Sequence, residues 1–227
     1  MSLGYIDPKD FRPARDIVFE IIRNAVLDGR LEKRERIMET TIAEELGISR
    51  TPVREAFRML ETEGLIEYYP KTGTVVKGIT LEDMEYIYDL REVLEGLAVR
   101  KACVNSDEAD IKRLKDILVL MEEAIKIDDN ERLFKLHSDY NNIIIEASKN
   151  PRLIDYLTNL YEYIASFRKI TLSENERKQI SLKEHRKIVE YIEAKDEVNG
   201  ESYCREHIRI AKGILLDFVK NKKESYK

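Results

Sequence analysis

The chain has 227 residues, 37% charged and 43% hydrophobic, with a formal net charge of −5. That length can hold two modest domains with separate cores. No apolar run approaches the roughly 18 residues of a membrane span, and Met1 to Phe11 lacks the apolar centre of a secretory signal. Cys103 and Cys204 are too few and too far apart for a disulfide framework or a cysteine zinc site, so reduced thiols and a cytoplasmic location are expected. The negative balance argues against indiscriminate nucleic-acid binding and leaves a local positive patch free to recognise DNA.

In chain order, Ile17, Val18, Ile21, Ile22, Ala25 and Val26 form an apolar stripe that predicts a helix over 14–28, closed by Gly29. Thr41 with Glu44 reads as a capping box opening a short helix to Leu46. Ser49 can cap a third helix to about Glu63, with Pro52 tolerated in its first turn. The period then changes to that of strands at Leu65, Ile66 and Tyr68 and again at Thr74, Val75 and Val76, around the turn residues Pro70-Lys71-Thr72-Gly73. Three helices followed by a β-hairpin predict a winged helix-turn-helix over 11–78. Over 79–222 only helical signals remain. They predict helices from Leu81 to Cys103, from Ser106-Asp107 to Ile127, from Asp128 or Asp129 to near Lys149, and over 151–170, 176–194 and 197–221. The fold class is mainly α, the second domain an all-α antiparallel six-helix bundle ending in a frayed polar tail, Lys220 to Lys227.

Arg50, Arg54 and Arg58 recur every four residues and project from one side of the third helix. Arginine suits phosphate or the O6/N7 edge of guanine, and a helix N-terminus favours an anion. Ser49, Thr51 and Thr41 add hydroxyls, Lys71 and Thr72 place polar donors on the wing, and Gly73 permits close approach. Taken alone, an arginine stripe is as readily a solvated face. The stretch Ala43-Glu44-Glu45-Leu46-Gly47-Ile48-Ser49-Arg50-Thr51-Pro52-Val53-Arg54-Glu55-Ala56, however, closely resembles the helix-turn-helix signature of GntR-family regulators. Leu60-Glu61-Thr62-Glu63-Gly64-Leu65 and Gly73-Thr74-Val75-Val76 extend the resemblance through the wing. It implies that Ser49, Arg50, Thr51, Pro52 and Arg54 meet the major groove, and that Lys71, Thr72 and Gly73 reach the minor groove. Thr40 falls where some relatives place a contacting arginine. Double-stranded, pseudo-palindromic operators are read by two-fold proteins, so a homodimer is expected.

The three histidines, His137, His185 and His207, lie on three different predicted helices of the second domain. Such a set can hold zinc or nickel, with Asn141 one turn after His137 offering an oxygen, although by spacing alone three scattered histidines are more often ordinary core or surface residues. His137-Ser138-Asp139-Tyr140-Asn141, Ala147-Ser148-Lys149-Asn150-Pro151-Arg152-Leu153, Glu184-His185-Arg186-Lys187-Ile188, Ala194-Lys195-Asp196 and His207-Ile208 resemble the FadR C-terminal domain, the helical effector domain of one GntR branch. Tyr88, Arg91 and Glu95 resemble its first helix. Metal-binding members present an aspartate and then a histidine in the slots occupied here by His137 and Asn141, so Asp89 or Glu92 could complete the shell. The resemblance implies a repressor controlled by a small carboxylate effector at the metal, with Arg91 as counter-charge; Arg91 could equally pair with Glu95 four residues on. A regulator for which the ion itself is the signal is the alternative. A metallohydrolase is disfavoured by the lack of a His-Glu-x-x-His pattern, so no enzymatic activity is expected.

Overall fold

The computed structural model describes residue 3, residues 10–172 and residues 174–224. Contacts divide the chain between Thr80 and Leu81 into two compact units.

The first unit begins with α1 (Ala14–Leu27), whose buried stripe includes Ile17, Val18, Ile22, Ala25 and Val26. A two-residue strand β1 (Arg36–Ile37) leads into α2 (Glu39–Leu46) and α3 (Arg50–Thr62), followed by β2 (Ile66–Tyr69) and β3 (Gly73–Val76). The sheet therefore has three strands in the order β1-β3-β2, all antiparallel, where the sequence suggested a two-stranded hairpin. Arg36 pairs with Val75 and Ile37 with Thr74. Two residues are too short to show strand alternation, and this strand exists because β3 has an edge for it to pair with. β1 also corrects the start of α2. The chain leaves the sheet at Ile37, and the first helical turn closes as Ile42 N–H donates to the Met38 carbonyl at 3.1 Å. Glu39 thus opens the helix, and Thr41 lies inside it, exposed. α3 buries Val53, Ala56, Phe57 and Leu60 against α1 and α2. Each of its larger apolar side chains contributes about 1.5–3 kcal/mol through removal from water, an upper bound.

The second unit is a six-helix bundle: α4 (Leu81–Asn105), α5 (Glu108–Lys126), α6 (Asn130–Ala147), α7 (Pro151–Thr171), α8 (Asn175–Glu193) and α9 (Glu197–Glu224). Asp107 and Asp110 form a reciprocal capping box at α5, with Asp110 N–H donating to Asp107 at 2.9 Å, and Asp129 caps α6. The core takes Ala98, Leu114, Met121, Leu133, Leu157 and Ile192, all fully buried. α4 and α9 are antiparallel, because Asp89 meets Lys212 near one end and Cys103 meets Gly200 near the other. At Gly200 a Cβ would come within 3.2 Å of Cys103 Sγ and 3.3 Å of Val99 Cγ1, so even a methyl group there would require its neighbours to shift by a few tenths of an ångström. α9 continues as helix through Lys220 to Glu224, a correction to the frayed tail expected from Lys220; residues 225–227 lie outside the described residues. Cys103 and Cys204 are buried free thiols, and burial pushes both of their pKa values up. No helix among the described residues is long and apolar enough to cross a membrane.

Candidate functional sites: a nucleic-acid interface and a polar cavity

α3 presents its arginines on the face opposite Val53, Ala56, Phe57 and Leu60. Arg50 and Arg54 are 58% and 53% exposed, and both reach Glu39 Oε2 in the first turn of α2, at 3.6 and 3.3 Å. Arg58 lies exposed on the same side, beside a groove that also includes Glu61, Tyr68 and Thr74. Ser49 sits at the N-cap in extended backbone, but its side chain accepts no bond from the first turn, which leaves the first-turn N–H groups of α3 to other acceptors. Ser49 and Thr51 are exposed, Pro52 is half-buried, and Thr40 is half-buried in the first turn of α2. On the wing, Lys71 and Thr72 are exposed at the tip, and Thr72 N–H donates to the Tyr69 carbonyl at 3.2 Å. Gly73 has φ +85°, and a Cβ there would meet Arg36 Nε at 3.3 Å. Arg36 thus brings another cation to the wing. Arg36 is not legible as a wing residue in the sequence, because nothing in the residue pattern reveals β1.

In the second unit, His137 and Asn141 on α6, His185 on α8, His207 on α9 and Arg91 on α4 all line one cavity of about 40 Å³. The His185 ring lies 4.8 Å from that of His137 and 4.9 Å from that of His207, centroid to centroid. His185 Nε2 and His207 Nε2 face each other at 3.3 Å. His207 Nδ1 is 2.6 Å from Glu184 Oε2, and Arg177 grips both Glu184 oxygens at 3.0 and 2.8 Å. Burial works to raise the Glu184 pKa, but the hydrogen bonds from His207 and Arg177 outweigh it, and the carboxyl is held below its usual value. Glu184 is placed to accept a hydrogen bond from His207 Nδ1, and in the neutral tautomer that makes this bond the His207 Nε2 lone pair faces His185. Tyr140 stacks on the His185 ring at 4.4 Å and donates its hydroxyl to the His185 carbonyl at 3.2 Å, tying α6 to α8.

Two zinc–nitrogen bonds of about 2.0–2.1 Å at the tetrahedral angle separate their nitrogens by about 3.3–3.4 Å. The His185–His207 spacing fits that edge, and Glu184 occupies the position of the carboxylate that typically orients a ligating imidazole. Among the described residues, no three His, Cys, Asp or Glu side chains form a ready ligand group. The residues that could hold an ion are therefore the His185–His207 pair, with His137 and Asn141 at the cavity wall. Arg91 is buried and paired with Glu95 at 2.5 Å, its guanidinium 4.8 Å from the Tyr88 ring centroid. Asp89 and Glu92 engage Lys212 and Arg209, at 2.6 and 3.0 Å. Glu184 and Arg177 were not singled out from the sequence. Glu184 was visible only as the neighbour of His185, and adjacent helical positions point in different directions.

A winged helix-turn-helix with an exposed arginine face, followed by a helical bundle with a polar cavity, is the architecture of a DNA-binding transcriptional regulator. Residues 14–76 match the model of the gntR family of bacterial regulatory proteins, and residues 86–210 match the FCD domain. The chain belongs to the GntR family, in the branch that carries an FCD domain, and it is a transcriptional regulator. It is 29% identical over 188 residues to the HTH-type transcriptional regulator YdhC of Bacillus subtilis, covering 82% of this chain and 84% of that protein. It is 31% identical over 146 residues to the gluconate operon transcriptional repressor of the same organism, covering 64% and 60%. The solved structure of E. coli McbR/YncC shares the fold, with a TM-score of 0.67 at 20% identity, covering 95% of this chain and 99% of that one.

Proposed function

We propose that this regulator is a homodimeric repressor of a pseudo-palindromic operator, released when a small carboxylate binds at a zinc or nickel site in its helical domain. The DNA contacts would come from Thr40, Ser49, Arg50, Thr51, Pro52 and Arg54, with Lys71, Thr72 and Gly73 on the wing. His185 and His207 would hold the ion, assisted by His137 and Asn141. A divalent ion there supplies positive charge that an anionic oxygen can bind. The single observation that carries the reading is the His185–His207 pair at ligand spacing, backed by Glu184 and set in the same buried cavity as Arg91. The repressor assignment draws support from relatives named as repressors of gluconate and D-xylose operons, and gluconate is itself a carboxylate.

Ligand binding changes operator affinity only if it favours one relative arrangement of the two heads over another. The test combines elemental analysis of the purified protein with operator binding followed by fluorescence anisotropy. His185→Ala and His207→Ala should each abolish metal binding and carboxylate-induced release while leaving operator binding in place. Less than about a tenth of an equivalent of transition metal, unchanged after incubation with zinc or nickel, refutes the metal site. Sedimentation velocity should show a dimer at micromolar concentration; a monomer that stays monomeric on DNA contradicts the two-fold arrangement.

A further inference from the structure

The polar cavity is small. One water needs about 10–15 Å³ of such space, so about 40 Å³ holds roughly three waters or a carboxylate head, and not a six-carbon acid. Two of its wall residues, Thr171 and Arg177, also line a second, open groove of about 430 Å³ between the start of α8 and the last turns of α9. The floor of that groove is apolar, from Ile180, Ile214 and Phe218. Ile180 and Phe218 each keep 41% of their surface exposed, and with Ile214 they offer adjacent apolar surface within one depression. At the shared wall, Arg177 spends both terminal nitrogens on Glu184, while its buried Nε has no hydrogen-bond partner among the described residues. A buried guanidinium N–H without an acceptor leaves a donor for an arriving anion.

We infer that cavity and groove form one composite site for a monocarboxylate with an apolar tail. The carboxylate head crosses the Thr171–Arg177 wall into the histidine-lined cavity, and the tail lies on Ile180, Ile214 and Phe218. This rests on the carboxylate reading above and narrows it to a ligand class. Glu174, Glu176 and Asp217 also line the groove, so a second carboxylate at the far end of the ligand would meet like charge. Each methylene taken fully out of water is worth about fourfold in affinity, and a tail half-covered along its length should gain at least tenfold over acetate.

The experiment is isothermal titration of the full-length, zinc-loaded protein with acetate, hexanoate, gluconate and adipate. Hexanoate and gluconate have equal carbon counts and differ in tail polarity, and adipate adds the second charge. Hexanoate should bind at least tenfold more tightly than each of the other three. Ile180→Ser and Phe218→Ser, both at partly exposed positions, should each erase most of that advantage and leave acetate affinity unchanged. Equal affinities for acetate and hexanoate, a preference for gluconate or adipate, or an advantage that survives both substitutions overturns the composite site. In those cases bound acetate keeps the carboxylate reading intact. If zinc binds and none of the four acids does, the carboxylate reading and this inference fall together.

Discussion

Arg54→Ala tests the DNA-binding surface most directly, because its effects on folding and on binding separate cleanly. Arg54 is 53% exposed, and its contact with Glu39 is a 3.3 Å pair in solvent. Such pairs are worth about 0.2–1 kcal/mol, and surface substitutions of this kind usually stay within about 0.5 kcal/mol. The helix itself is anchored by Val53, Ala56, Phe57 and Leu60, none of which changes. The head should therefore melt within about 4 °C of the parent. At the operator, loss of a bidentate contact to guanine or its phosphate should cost about 1–3 kcal/mol, or about 5- to 150-fold in Kd. Arg58→Ala should cost clearly less. Fluorescence anisotropy at one fixed salt concentration, on operator and on unrelated duplex, measures both. Glu39→Gln is the counterpart: removing the anion that both arginines face should strengthen binding to unrelated duplex by about 1.5- to 5-fold, the worth of a surface ion pair. An Arg50→Ala, Arg54→Ala double variant that still binds the operator like the parent would refute the assignment of this helix face.

Three further outcomes follow from the helical domain. Zinc at about a hundred times its Kd should stabilise the protein by about 2.7 kcal/mol and raise Tm by about 5–10 °C, a rise that EDTA reverses and that His207→Ala lacks in differential scanning calorimetry. The lowered pKa of Glu184 means that the folded state takes up its proton less readily than the unfolded chain. Its contribution is then complete above about pH 4.5 and is lost as pH falls through the lowered folded value; urea titrations from pH 3 to 7 should show Glu184→Gln losing part of that acid dependence. Gly200→Val forces side-chain atoms into Cys103, Tyr191 and Val99 and should cost about 1–3 kcal/mol in urea unfolding; an unchanged midpoint would mean that α4 and α9 can separate freely.

The sequence by itself determined the order of the helices and of the β2–β3 hairpin, and the faces that become core. Apolar spacing of three and four residues in α1, and the strand period around the Pro70–Gly73 turn, are local patterns, and backbone periodicity is a local property. The same holds for the caps of α5 and α6, where Asp107 and Asp129 sit within one turn of the N–H groups they satisfy. The SRTPVREA stretch carried the family, because its residues are contiguous on one short helix.

Contacts between distant segments were decided only by the tertiary structure. β1 forms because β3 presents an edge to Arg36 and Ile37, and that pairing moves the start of α2 from Thr41 to Glu39. Glu39 then meets Arg50 and Arg54 across the turn between α2 and α3. In the bundle, residue types and helical spacing offered Arg91 two roles; the fold pairs it with Glu95 and still places it on the cavity wall. His207 takes Glu184 as its partner across 23 residues, and Arg177 holds that carboxylate in place. Spacing along the chain fixes the face of a helix on which a side chain lies. Which atom it touches depends on how neighbouring helices rotate and slide to close the core, and that is settled when Tyr140, Leu157 and Ile192 are packed away from water.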